Sequence, residues 1–115
     1  MKAYTLHFTE ADGGSWCAVI PAELQELLGR QVTATIWKDH SIRLYTEDEW
    51  ADVMAQLKRL TEDKVKMLRP LFALAELCYS GGDAITLSGT LLCHARIETD
   101  AVLETGDDGW LLRRG

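Results

Sequence analysis

The opening residues alternate. Tyr4, Leu6 and Phe8 fall on one side of an extended chain and Thr5, His7 and Thr9 on the other, the period-two pattern of a half-buried strand. Asp12-Gly13-Gly14-Ser15 has the composition of a turn, because glycine reaches positive φ without a steric cost. A second apolar run, Trp16 to Ile20, leads to Pro21, which opens a short helix over 22–28 that Gly29 is placed to close. Residues 32–37 and 42–45 read as two further strands, joined by the loop Lys38-Asp39-His40-Ser41.

The period then becomes helical. Thr46-Glu47-Asp48-Glu49 is a capping box, in which the Thr46 hydroxyl accepts from the Glu49 amide and the Glu49 carboxylate reaches back. Behind it Trp50, Val53, Met54, Leu57 and Leu60 form one apolar stripe. Thr61, Glu62 and Asp63 mark a second helix start, and Val65, Leu68, Leu71 and Phe72 continue an apolar face that Pro70 should kink or interrupt.

After Gly81-Gly82 the opening pattern returns: Ile85-Thr86-Leu87, Leu91-Leu92, Ala101-Val102-Leu103, the turn Gly106-Asp107-Asp108-Gly109, and Trp110-Leu111-Leu112. Ile20 corresponds to Leu87, Leu24 to Leu91 and Ile36 to Leu103, and 87 − 20, 91 − 24 and 103 − 36 all equal 67. Such a constant offset marks a diverged internal repeat, and each copy alone is too small to bury its apolar faces. The predicted fold is therefore α+β. Two pseudo-symmetric units of β-hairpin and short helix, residues 1–46 and 75–115, are joined by a helical pair over residues 47–74.

An apolar content of 47% with 26% charged residues is that of a soluble globular protein and excludes a disordered one. No stretch approaches the roughly 18 to 20 apolar residues of a membrane span. The first residues run directly into the strand pattern, so a cytoplasmic protein without a secretory signal is expected. Cys17, Cys78 and Cys93 form no C-x-x-C pair and have no zinc-ligand spacing, so they read as reduced core residues. The net charge is −6, and residues 1–45, 46–79 and 80–115 are each acidic, at −1, −2 and −3. Nucleic-acid surfaces are usually basic, because phosphate neutralisation and counterion release supply most of the affinity.

Several stretches carry a resemblance. Ala18-Val19-Ile20-Pro21-Ala22-Glu23-Leu24 through Leu28-Gly29 resembles the V-I-P-x-E-L-x-x-x-L-G stretch of swapped-hairpin AbrB-type domains. Ile42-Arg43-Leu44-Tyr45 followed by Glu49-Trp50 is similar to the L-x-L-Y and E-W that lead into the helices of the MraZ family. Leu71-Phe72-Ala73-Leu74-Ala75-Glu76 is similar to the F-x-A-x-E that ends them. The three fall in family order along nearly the whole chain. The resemblance implies two AbrB-like units forming a double swapped-hairpin barrel. It also implies a cytoplasmic, nucleoid-associated homo-oligomer, assembled as a ring, that binds DNA and regulates transcription of a division and cell-wall operon. From the residues themselves, no Ser-His-Asp order, paired-carboxylate setting or phosphate-cradling glycine loop stands out, so no enzymatic activity, cofactor, metal or membrane partner is expected.

That family contacts DNA through a D-x-x-x-R in each unit. Its aspartate position falls here on Gly13 and Ser80, with Asp12 one residue early, and its arginine position on Cys17 and Ala84. Neither residue can make the bidentate contacts of an arginine. The candidate DNA-contact residues are therefore Asp12, Gly13, Ser15 and Trp16 in the first loop and Gly81 and Asp83 in the second, with Arg30, Lys38 and Arg43 as candidate phosphate contacts. The alternative for the first loop is a plain turn with Trp16 in the core or an interface. Arg113-Arg114 reads as a small basic handle or a solvated tail, and His7, His40 and His94 as scattered surface or interface residues. Two functions fit: the DNA-binding regulator, and an oligomeric protein-interaction module on the same scaffold with DNA binding lost.

Overall fold

The computed structural model describes residues 3–72, 75–79, 81–106 and 109–115. The first predicted strand is divided in two. β1 (Ala3–His7) and β2 (Thr9–Glu10) meet at Phe8, whose N–H donates to the Thr99 carbonyl at 2.7 Å and whose ring is fully buried. The bend carries the chain from one sheet into another. A tight 3-10 turn, Asp12–Gly14, leads to β3 (Ser15–Val19), α1 (Ala22–Leu28), β4 (Val32–Trp37) and β5 (Ser41–Thr46).

α2 (Glu47–Arg59) starts at the predicted capping box: Thr46 Oγ1 accepts from the Glu49 N–H at 3.4 Å and Glu49 Oε1 from the Thr46 N–H at 3.1 Å. α3 (Glu62–Phe72) runs through Pro70 without the predicted interruption. Pro70 has no N–H to donate to the Lys66 carbonyl, so the last turn of α3 forgoes that intrahelical hydrogen bond. The side chains of Leu68, Leu71 and Phe72 lie outside the described set, as do Ser80, Asp107 and Asp108.

β6 (Glu76–Tyr79), which the residue pattern did not predict, precedes β7 (Ala84–Ser88), α4 (Gly89–His94), β8 (Asp100–Gly106) and β9 (Gly109–Arg114). The fold is mixed α+β with antiparallel pairing throughout the described strands. A curled six-stranded sheet has the order β1-β8-β9-β5-β4-β6, and a three-stranded sheet the order β2-β3-β7.

The larger sheet reads the same from either edge when each strand is exchanged for its later or earlier counterpart. β1 of the first half pairs with β8 of the second, and β6 of the second pairs with β4 of the first. The hairpin registers correspond: Ile36 lies opposite Ile42, and Leu103 opposite Leu112. In each sheet one pair of counterparts faces one another, Ala18 with Ile85 (67 apart) in β3–β7 and Ile42 with Leu112 (70 apart) at the centre of the six-stranded sheet. The extra three positions arise because Trp37 and Ser41 enclose three residues where Glu104 and Leu111 enclose six.

One core fills the space between the sheets and the two short helices. It includes Leu6, Phe8, Leu24, Leu28, Ile42, Leu44, Ile85, Leu87, Leu91, Leu103 and Leu112, drawn from both halves. Burial of this kind contributes about 25 cal/mol per Å² of apolar surface. Neither half has these contacts alone.

Candidate functional site

The two predicted contact loops lie at opposite ends of one two-stranded ribbon. β3 and β7 run antiparallel with Ser15 opposite Ser88 and Val19 opposite Ala84, so the turn at Asp12–Gly14 and the turn at residues 81–83 flank the ribbon from either end. In the first loop Gly13 and Gly14 take φ of 76° and 78°, and the Ser15 hydroxyl donates to the Asp12 carbonyl at 2.9 Å. A Cβ on Gly89 would come within 3.4 Å of the Gly14 carbonyl oxygen and 3.7 Å of the Trp16 indole nitrogen. That close approach seats the loop on the start of α4. Trp16 is half-buried and packs against the core. In the second loop Gly81 has φ of 82°, and the Asp83 carbonyl accepts from the Ile20 N–H at 2.9 Å.

Strand alternation puts Trp16, Ala18, Ile85 and Leu87 on the core side of the ribbon. Ser15, Cys17, Val19, Ala84, Thr86 and Ser88 are left on the outer side. Cys17 and Ala84, the two positions where the family resemblance would put arginines, therefore both face outward. The outer face is uncharged. Its central cross-strand contact is Cys17 Sγ to Thr86 Oγ1 at 3.2 Å, and Val19 is 73% exposed. The nearest ionisable side chains of the loops, Asp12 and Asp83, are acidic and exposed.

The three candidate phosphate contacts are not brought together. Arg30 lines a surface cavity with Glu47 and Asp48 beyond the end of α1. Lys38 sits at the tip of the β4–β5 hairpin. The Arg43 guanidinium stacks on Trp37 at 4.9 Å and Tyr45 at 4.6 Å, a cation–π sandwich on the outer face of the six-stranded sheet. None of the three lies on the ribbon. The charge-assisted contacts a phosphodiester needs are absent from that face among the described residues.

The histidines are less scattered than their spacing suggests. His40 Nδ1 lies 3.2 Å from the His94 carbonyl, His94 Nε2 lies 3.0 Å from the Trp37 carbonyl, and the two rings are 6.0 Å apart. His7 instead meets Asp100 at 2.8 Å across β1 and β8. The described residues contain no group of three or more His, Cys, Asp or Glu side chains that could hold a metal ion. Among the cysteines, Cys78 is buried, and desolvation followed by the nearby Glu76 charge pushes its thiol well up from its ordinary pKa. No helix among the described residues is long and apolar enough to cross a membrane.

Against known protein families and curated proteins, the chain matches no family model and no curated protein.

Proposed function

We propose that the chain is a MraZ-like transcriptional regulator built on two AbrB-type swapped hairpins, acting in the cytoplasm on or near the nucleoid as a homo-oligomer. The observation that carries this reading is the reciprocal exchange of strands, β1 into the second half's hairpin and β6 into the first half's, with counterparts β3 and β7, and β5 and β9, paired to one another. That is the arrangement a duplicated swapped-hairpin domain would produce. Oligomerisation is supported by the linker helices. Trp50, Val53, Met54, Leu57 and Leu60 are only half-buried and α2 has no fully buried residue, so its apolar stripe has room for a second subunit. On this reading DNA binding is weak per subunit, depends steeply on salt and is summed over the oligomer.

The uncharged outer face of the β3–β7 ribbon favours a second reading, in which the same scaffold binds protein and has lost DNA. One titration separates the two. The protein is added to DNA from its own upstream region at about 50 mM and about 200 mM salt. Binding at the lower concentration that collapses at the higher supports the regulator. No binding at the lower concentration leaves the protein-binding scaffold.

A further inference from the structure

Every cation of residues 80–115 lines one cavity. Arg96, Arg113 and Arg114, with Asp39, His40 and Ala95, surround about 280 Å³ where the end of α4, the tip of the β4–β5 hairpin and the end of β9 meet. Arg113 donates through Nε and Nη2 to the two Glu104 carboxylate oxygens at 2.8 and 3.3 Å, while Arg96 and Arg114 make no ion pair among the described residues. Asp39 is the only acidic residue lining it among the described residues. With Arg113 paired to Glu104, and Arg114 also lining a neighbouring cavity with Glu98 and Asp100, Arg96 and Arg114 still leave a local basic excess on a chain of net charge −6.

The backbone supplies an independent observation. Among the described residues the non-glycine positions with positive φ are Asp39 (58°), His40 (54°) and Arg96 (57°), and all three line this cavity. Asp and His are tolerated there, but arginine is not a usual occupant. The Arg96 N–H donates to the Cys93 carbonyl at 3.1 Å and the Ile97 N–H to the Leu92 carbonyl at 2.9 Å, the pattern with which glycine normally closes a helix. Its counterpart 67 positions earlier is Gly29, with φ of 79°, closing α1. The second half thus holds a long cationic side chain at positive φ at a position where the first half has a glycine, itself at positive φ. Strain of this kind gathers at functional sites.

We propose that this cavity is a phosphate-binding site, with Arg96 and Arg114 as the principal ligands and Arg113 and His40 completing the donor set. Guanidinium groups match the oxygens of a phosphate in pairs, and the cavity is at the small end of ligand sites, suited to one phosphate group. The site uses none of the ribbon residues, so it stands or falls separately from the regulator reading.

The test titrates inorganic phosphate into the full chain by calorimetry and thermal unfolding, with sodium chloride at matched ionic strength as the control. Saturable binding that raises Tm beyond the chloride control is expected. Arg96→Gly relieves the backbone and keeps the fold, with Tm unchanged or higher, yet weakens phosphate about tenfold, the effect of about one lost charge-assisted hydrogen bond. Arg114→Ala weakens it similarly through charge alone. Equal stabilisation by phosphate and chloride overturns the proposal, as does wild-type phosphate affinity in both variants. A duplex of unrelated sequence identifies the source: competition with phosphate points to a nucleic-acid backbone, and none points to a small phosphate ester.

Discussion

Arg43 and Arg113 are counterparts in the two hairpins, 70 positions apart, and their surroundings could hardly differ more. Over β4 and β5 the outer face of the six-stranded sheet lies under α2 and α3. Thr35, Ser41 and Tyr45 are buried there, Tyr45 packs 5.3 Å from Trp50, and Arg43 is held between Trp37 and Tyr45. Over β8 and β9 no helix covers the corresponding positions among the described residues. Val102 and Leu111, more apolar than their counterparts Thr35 and Ser41, are only half-buried, and Arg113 is exposed and turns to Glu104. Equivalent strand pairing therefore does not create equivalent environments. The linker helices have no counterpart in the repeat, so they cover one half and leave the other open.

The inner face should behave symmetrically and the outer face should not. The largest effect is expected at Leu24 and Leu91, fully buried counterparts on the two short helices. Leu24→Ala and Leu91→Ala should each cost about 2–5 kcal/mol by chemical denaturation. A near-zero value for one of them would break the equivalence of the halves. Arg43→Ala should cost about 2 kcal/mol through loss of a desolvated cation–π contact and of packing on two rings. Arg113→Ala should leave unfolding unchanged within error, since its carboxylate partner is in water's reach. Equal losses at the two arginines would show that the outer faces are alike after all.

Gly29→Ala places a Cβ at φ of 79° and should cost about 1 kcal/mol, whereas Arg96→Ala, at an already non-glycine position, should cost much less. Thermal melts of the two side by side test whether the helix ends differ as their backbones imply.

The smallest effect on stability, though a sharp one in rate, concerns Cys78, which stands where Phe8 stands in the first half. Burial raises its pKa above the ordinary 9.0. The folded state then keeps a proton that the unfolded chain releases, so the stabilisation is complete below about pH 9 and declines as pH rises beyond it. Thiol labelling at neutral pH should modify exposed Cys93 quickly and Cys78 only on unfolding. Rapid native labelling of Cys78 would contradict its burial.

Much of this protein was legible one segment at a time. The capping box at Thr46 and Glu49, the helix opened by Pro21 and closed by Gly29, both hairpins and the 67-residue offset follow from interactions between residues a few positions apart or from periodicity. The candidate loops Asp12–Ser15 and Gly81–Asp83 were likewise placed at turns by their glycines. β6 was missed because Glu76-Leu77-Cys78-Tyr79 is too short to show a period. The break at Phe8 was missed because alternation does not record where a strand changes sheet. The uncharged ribbon face could be inferred only in part, from the residues at positions 17 and 84.

The sequence by itself thus determined most of the helices, strands and turns, though not β6 or the break at Phe8, and it carried the 67-residue offset between its two ends. Only the tertiary structure decided that β1 joins the far hairpin, that Arg43 is enclosed while Arg113 is not, and that Arg96, Arg114 and His40 share a cavity. The physical reason is range. A capping hydroxyl or a turn glycine acts on neighbours along the chain, whereas strand partners are chosen by the apolar area the whole chain can bury, a quantity that no single segment contains.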